Sequence, residues 1–442
     1  MAWNVVIVGG GFGGYNAARK LERLMEPQSV RITLVNDVNF LLYTPFLPEA
    51  AAGTLEPRHV VTPLRDVLRE TQLRLGYVFH HDPAARTVGL KDLEGVEHEL
   101  AYDRLILAPG SVSRVLPIPG LDEHAVGFKT LADAIWLRNH VIQCLELADA
   151  TEDPSLREQL LTFIFVGGGY AGLEALAELQ DFAAEAISLY PRARLYGMRW
   201  ILLEATDRVL PEIDPGLAEY AAQQLQSRGI DIRLSTTLQE IDAESARIAT
   251  GETVPTRTVV WTAGVVPNPS ISGWRLPLNE RGRIVVDEHL RVKGQDGVWA
   301  IGDAAAVPDP AKPGRPSPPT SQHAIRQGRT AARNVAATLG VGKSSPFTYK
   351  TMGQFVNLGR YKAVAKVGSQ TLRGFPAWWL ARTYHMSQIP GPMRKVRAVA
   401  DWTVGLPFSR DIAEVGMIGH PRPLRANAHP SPEGLDGQLE RR

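Results

Sequence analysis

"NVVIVGGGFGGYNAARKLERLM" (residues 4–25) decides the fold. An apolar run of β-formers leads into glycines, and the glycines lead into a segment with apolar residues at helical spacing. That order is strand, tight turn, helix. Gly9, Gly11 and Gly14 stand at G-x-G-x-x-G spacing. In such a turn the first glycine permits the reversal, the second lets a pyrophosphate approach the backbone, and the third lets helix and strand pack closely. The phosphate then rests on the positive end of the helix. The strand "RITLV" (31–35) completes a βαβ unit.

A second copy begins at "LTFIFVGGGYAGLEALAELQDFAAEA" (161–186), with Gly167, Gly169 and Gly172 at the same spacing, and continues into the strand "RWILLEA" (199–205). A glycine turn alone also occurs for packing reasons, but two in strand–helix context, 158 positions apart (167 − 9), imply two dinucleotides. The residue ending each second strand separates them. Glu204 is a carboxylate able to hold both ribose hydroxyls and repel a 2′-phosphate, which favours NADH over NADPH, although Arg208 lies four residues on. In the first unit the corresponding residue is Asn36, a weaker ribose ligand that also suits a turn cap. A further strand ends in "WAIGDAA" (299–305), where Asp303 is placed either to accept from a ribityl hydroxyl or to cap a helix.

At 442 residues the chain is long for one core, and its net charge of +1 argues against a nucleic-acid partner. Cys144 is the only cysteine, so no disulfide, dithiol redox pair or cysteine-rich metal site forms within the chain, and no metal is expected; the thiol reads as a small buried hydrophobe. No export signal and no spanning apolar run are evident, which makes the cytoplasm the expected compartment. "VPDPAKPGRPSPP" (307–319) carries six prolines and reads as a semi-rigid surface loop. The last residues are nearly devoid of apolar content, so a disordered tail is expected over 419–442.

These pieces resemble the flavoprotein reductases with two dinucleotide-binding domains. In them "GGGFGG", "LILAPGS" and "AIGDAA" belong to the FAD side, and "VGGGYAGLE" with "VVWTAGVVPNP" to the nicotinamide side. Pro109 stands where that pattern usually has Thr. Within the group, "NFLLYTPFLPEAAAGTLEP", "HAVGFKTLADAIWLRNHV", "LPEIDPGLAEYAAQQLQSRGIDIRLST" and "MGQFVNLGRYKAVAKVG" are similar to the type II NADH:quinone oxidoreductases, over roughly residues 3–415. The resemblance implies an α/β fold of two Rossmann-like domains, the FAD domain (1–118 and 285–345) split by an inserted NAD(P)H domain (119–284), and a C-terminal membrane-associating or dimerisation region (346–418). It implies FAD held by Gly9, Gly11, Phe12, Gly13, Gly14, Asn36, Ala108, Gly110, Gly302, Asp303, Ser321 and Gln322. NADH would be held by Gly167, Gly169, Tyr170, Gly172, Glu174, Glu204, Ala263 and Gly264. Glu174, read as lying on the first turn of the second helix, would orient the nicotinamide; its other reading is an acid favoured by the helix dipole.

"PPTSQHAIRQGRTA" (318–331) falls where the family carries an Ala-Gln-x-x-x-Gln pattern beside the flavin. Gln322 is kept, Ser321 replaces the alanine, and Arg326 replaces the second glutamine, with Gln327 beside it. Thr320 and Ser321 suit an N-cap whose free amides favour negative charge on a flavin. Gln322 and Arg326 are the candidate acceptor-side residues; His323 and Arg326 equally suit an outer helix face. Finally, "LRGFPAWWLARTYHMSQIPGPMRKVRAVADWTVGLPF" (372–408) mixes Trp378, Trp379, Tyr384, Trp402 and Phe408 with Arg373, Arg382, Arg394, Lys395 and Arg397. That suits helices lying in a bilayer interface on the inner face of the cell membrane, or aromatics filling a homodimer interface. The function implied is oxidation of NADH through FAD with electrons passed to a membrane quinone. A reductase of another acceptor, such as an iron–sulfur protein, and a redox-sensing flavoprotein remain alternatives.

Overall fold

The computed structural model describes residues 2–349, 353–405 and 408–414. Strand β1 (Trp3–Val8) lies in the middle of a seven-stranded sheet, parallel to β2 (Val30–Asn36) on one side and to Arg104–Leu107 on the other, with Ile7 paired to Leu34 and Ile106. A strand with neighbours on both edges and helices on its faces has no wet side, which is why it reads as an unbroken apolar run. The sheet order is 298–300, 104–107, 3–8, 30–36, 71–82, 87–92, 97–101, parallel through the first five strands and antiparallel over the last three. Strand order reverses beside β1, whose next strand in sequence lies on one side and the later 104–107 on the other, so helix α1 (Phe12–Leu24) starts at the switch point where such sheets bind ligands.

The chain leaves this sheet after Leu107 and rejoins it at Val298. Between these points lies a second parallel sheet in the order 125–127, 258–261, 162–166, 199–203, 230–233. Its central strand β3 (Thr162–Val166) runs through the second glycine loop into α2 (Tyr170–Ala186) and is followed by β4 (Arg199–Leu203). The fold is thus the expected α/β arrangement of two Rossmann-like units, one interrupted by the other.

Helix α3 (Ser321–Thr338) packs directly on α1. Its small residues permit the approach: a Cβ at Gly328 would stand 2.2 Å from Gly13 O. The proline-rich segment is pinned by a bridge between Pro308 and Pro316 and forms one rim of the cleft described below.

The C-terminal segment contains an antiparallel three-stranded sheet (354–373), which the sequence reading did not anticipate, followed by α4 (Phe375–Gln388) and α5 (Pro392–Gly405). Here the expectation of an aromatic and basic interfacial face needs correction. Trp378, Trp402 and Arg382 are buried, and they share a core with Tyr43, Phe46, Leu55 and Val60 from the 39–60 loop. Arg382 Cζ lies 5.1 Å from the Trp378 ring centre and 5.0 Å from that of Trp402, a cation–π sandwich. Arg373 lies over Tyr220 and Arg394 pairs with Asp66 at 3.1 Å. Phe375, Trp379, Met393, Val396, Val404 and Phe408 remain outward, each at least half exposed. The anticipated tail at 419–442 lies outside the described residues.

Candidate active site

The two glycine loops have the same internal geometry. A Cβ on Gly9 would stand 2.1 Å from Ala108 O, and one on Gly14 would stand 1.8 Å from Gly9 O. In the second unit a Cβ on Gly167 would stand 2.9 Å from Thr262 O, and one on Gly172 would stand 2.1 Å from Gly167 O. Gly11 and Gly169 differ: around each there is nothing within 4 Å. Four glycines are therefore required by the protein's own packing, and two face open space at a helix N-terminus. That space is where a phosphate would approach the amides, so both loops fit a dinucleotide.

The residue ending the second strand of each unit also has matching roles. Gly10 N donates to Asn36 Oδ1 and Gly168 N donates to Glu204 Oε2, both at 2.6 Å. Asn36 Nδ2 further donates to Val38 O at 2.8 Å, so its amide is engaged at both ends in holding the loop. Glu204 accepts from Thr206 N and Oγ1 at 2.8 Å on its other oxygen while still lining the cleft. Its charge is fixed where a ribose would lie.

Both loops open into one cleft of about 1940 Å³. A site for one small molecule is roughly 300–1000 Å³, so this cleft has room for more than one. Phe12, Ala108, Gly110, Gly302, Asp303 and Ser321 line it from the first unit, and Tyr170, Glu174, Ala263 and Gly264 from the second. Gly302 is held by Gln327, whose Oε1 accepts from Gly302 N at 2.8 Å. Asp303 accepts from Ser111 Oγ at 2.6 Å, and Ser111 Oγ in turn accepts from Lys129 Nζ at 2.8 Å. Burial lowers the Lys129 pKa, and the Asp303 carboxylate partly offsets this. The sequence reading did not single out Lys129 or Ser111.

α3 also presents its N-terminus to the cleft, with Thr320 as the cap accepting from His323 N. Gln322 lines the cleft, donates to Gly353 O at 3.3 Å and accepts from the Tyr349 hydroxyl. Arg326 is turned aside: it donates to Gln322 O at 3.0 Å, its guanidinium lies 4.3 Å from the Tyr349 ring centre, and it is not part of the cleft wall. His323 packs edge-on to the same tyrosine.

Glu174 is the fifth residue of α2, on the second turn and not the first, so an N-terminal dipole effect does not account for it. Its Oε1 accepts from Asn357 N at 2.8 Å, while Asn357 Nδ2 donates to Glu49 Oε1 at 2.7 Å. Burial pushes Glu174 well above the usual carboxylate range, and it pushes the fully buried Glu49 up to about 8 against the lowering effect of Arg382. Glu174 on the cleft wall and the fully buried Glu49 are therefore a pair of carboxyls that favour the protonated form.

Two phosphate cradles sharing one cleft, with a third helix N-terminus on its wall, define an oxidoreductase with two dinucleotide sites. Residues 3–328 match the pyridine nucleotide-disulphide oxidoreductase family, to which the chain belongs. Its curated relatives include the type II NADH:quinone oxidoreductase Ndh of Mycobacterium tuberculosis, 31% identical with 90% of this chain and 87% of that protein covered. Another is a probable NADH dehydrogenase of Dictyostelium discoideum, 30% identical with 92% and 90% covered. Among solved structures, NDH2 of Plasmodium falciparum in complex with NADH superposes with a TM-score of 0.86 at 18% identity, over 93% of this chain and all of that one. The chain is thus a member of the type II NADH:quinone oxidoreductases.

Proposed function

We propose that this chain oxidises NADH through FAD and delivers two electrons to a quinone. The observation that carries this reading is the shared cleft: each glycine loop offers an open phosphate cradle to it, and Gln322 lines its wall. The chain's single cysteine is buried, and burial pushes its thiol up to about 12, so no thiol relay stands between the dinucleotide and the acceptor.

The amides at Gly11 and the α1 N-terminus hold the FAD pyrophosphate, and Asp303, fixed by Ser111, takes the ribityl chain. The amides at Gly169 hold the NADH pyrophosphate, and Glu204 takes the adenosine ribose and disfavours a 2′-phosphate. FAD, when bound, supplies the hydride-accepting ring and the route for two electrons. The first-turn amides of α3 turn a positive pole toward that ring. Glu174, held by the Asn357 amide, positions the nicotinamide, and Gln322 contacts the acceptor. Arg326 acts through Tyr349 on Gln322, as a positioning residue.

The outward face of α4 and α5, with Trp379, Met393 and Val396 exposed and Arg397 exposed next to Val396, supports a peripheral seat on anionic lipid at the inner face of the cell membrane. Among the described residues no helix is long and apolar enough to cross a membrane. A homodimer built on the same region is the other use of that face. The function is tested by steady-state assay: purified flavoprotein oxidises NADH when a short-chain quinone is present, and thiol-blocking reagents leave the rate unchanged. A protein that turns over with no quinone refutes it.

A further inference from the structure

One pair, a histidine on the cleft wall and a buried tyrosine that contacts it, has no role in this account. Tyr43 and His385, 342 positions apart, meet with the tyrosine hydroxyl 3.1 Å from His385 Nδ1. Tyr43 is buried and its ring lies 5.7 Å from that of Phe12, inside the first glycine loop. His385 lines the cleft, with Phe46, Phe355 and Tyr384 around its ring at 5.8, 6.0 and 5.2 Å. Phe355 lies two residues after Gly353, whose carbonyl holds Gln322, so this aromatic box and Gln322 line neighbouring parts of the cleft.

The protons on this pair can be assigned. Burial pushes His385 down to about 4, so the ring is neutral at physiological pH, with one donor and one acceptor nitrogen. Burial also raises Tyr43, so its hydroxyl keeps its proton. Among the described residues Nδ1 is the acceptor available to that hydroxyl, which leaves the imidazole proton on Nε2. Nε2 has no hydrogen-bond partner among the described residues, and its ring forms part of the cleft wall. A histidine serving only to satisfy a core tyrosine would not leave a donor unpaired there.

We propose, on the quinone reading above, that His385, backed by the buried Tyr43, is the proton-donating wall of the acceptor subsite. His385 Nε2–H donates to one carbonyl oxygen of the quinone and transfers its proton there as the electrons arrive. Nδ1 takes the Tyr43 hydroxyl proton in the same event; water in the cleft then returns a proton to Nε2, and the Nδ1 proton goes back to the buried Tyr43. The sum balances: the quinone gains two electrons and two protons, one proton accompanying the electrons from NADH and the other coming from solvent in the cleft through His385, with Tyr43 holding the charge balance at Nδ1 in between. Gln322 holds the acceptor from the α3 side.

The test compares His385→Phe, His385→Gln and Tyr43→Phe with wild type as FAD-loaded full chains. Each is assayed for reduction of a short-chain 1,4-benzoquinone, with its solvent deuterium isotope effect, and for reduction of ferricyanide, which accepts electrons but no proton. Binding of the benzoquinone to the oxidised protein is read separately by quenching of flavin fluorescence. His385→Phe should lose quinone turnover by about 100-fold or more, the scale of general-acid catalysis. It should also bind the quinone more weakly, while ferricyanide reduction changes by less than about threefold. Tyr43→Phe should alter the isotope effect with a smaller loss of rate. Quinone turnover and isotope effect unchanged in both His385→Phe and Tyr43→Phe overturn the proposal, as do parallel losses with both acceptors, which mark a packing role. Wild-type protein that reduces ferricyanide and no quinone refutes instead the proposed function on which this rests.

Discussion

Replacing Gly169 by alanine separates binding from folding. Its backbone lies at φ −74°, ψ −175°, a conformation open to any residue, and a Cβ there meets nothing within 4 Å. Alanine at a compatible glycine site gains about 0.4–1 kcal/mol through the unfolded chain, while at an N-cap it loses a few tenths or more relative to glycine. These offset, so the melting temperature should move by no more than about 2–4 °C. The methyl group, however, occupies the space through which a pyrophosphate reaches the α2 amides. Hydrogen bonds to a charged group contribute roughly 1.5–3 kcal/mol each, so displacing the phosphate from one amide should raise the KM for NADH about 10- to 150-fold. Flavin content, read from the visible absorbance of the purified protein, should be unchanged because the Gly11 cradle is intact. Gly172→Ala is the contrasting case, since its Cβ would lie 2.1 Å from Gly167 O and overpacking costs about 1–3 kcal/mol. A Gly169→Ala protein with wild-type KM for NADH, or one whose NADH binding fails only because it unfolds, would refute the assignment of this loop.

Glu204→Gln keeps the bond from Gly168 N but removes the charge, so the ratio of kcat/KM for NADH over NADPH should fall by about tenfold; an unchanged ratio places the ribose elsewhere. For Glu49, burial raises the folded pKa to about 8 from an ordinary value of 4.5, so its favourable contribution is full below 4.5 and is lost as pH rises to 8. Denaturation of Glu49→Gln should therefore show it gaining on wild type between those limits, by at most roughly 1.4 kcal/mol per pH unit; a pH-independent difference contradicts the buried protonated carboxyl. Met393→Asp with Val396→Asp should abolish flotation of the protein with anionic vesicles while leaving NADH oxidation by a water-soluble quinone in place. Retained flotation removes the α5 face from the lipid contact.

The glycine loops and Glu204 could be read directly because the strand, turn and helix that place them are contiguous. Helix phase explains one shortfall. Arg326 and Gln327 are neighbours in sequence, but Gln327 lies one turn from His323 on the buried face and Arg326 shares its side with Arg329 and Arg333, so period 3.6 would have turned Gln327 inward. The pairs Asp303–Ser111, Asn357–Glu49 and Tyr43–His385 left no comparable signal. Their members are 192, 308 and 342 residues apart, and only the return of the chain to the first sheet and the docking of its C-terminal segment on the 39–60 loop bring them together. Composition also misled: tryptophan and arginine interleaved on α4 look interfacial, whereas Arg382 can lie inside because two indole faces and two buried carboxyls surround its charge.

The central claim, that electrons cross from NADH to a quinone through a single flavin without a protein thiol, is tested most directly by anaerobic double-mixing stopped flow. The yellow protein is first reduced with one equivalent of NADH and then mixed with a short-chain quinone while the flavin absorbance is followed. Rapid bleaching followed by return of the absorbance at a rate matching steady-state turnover is the predicted result, with the return slowed in Gln322→Ala. Rapid bleaching by NADH with no recovery on adding quinone would contradict it.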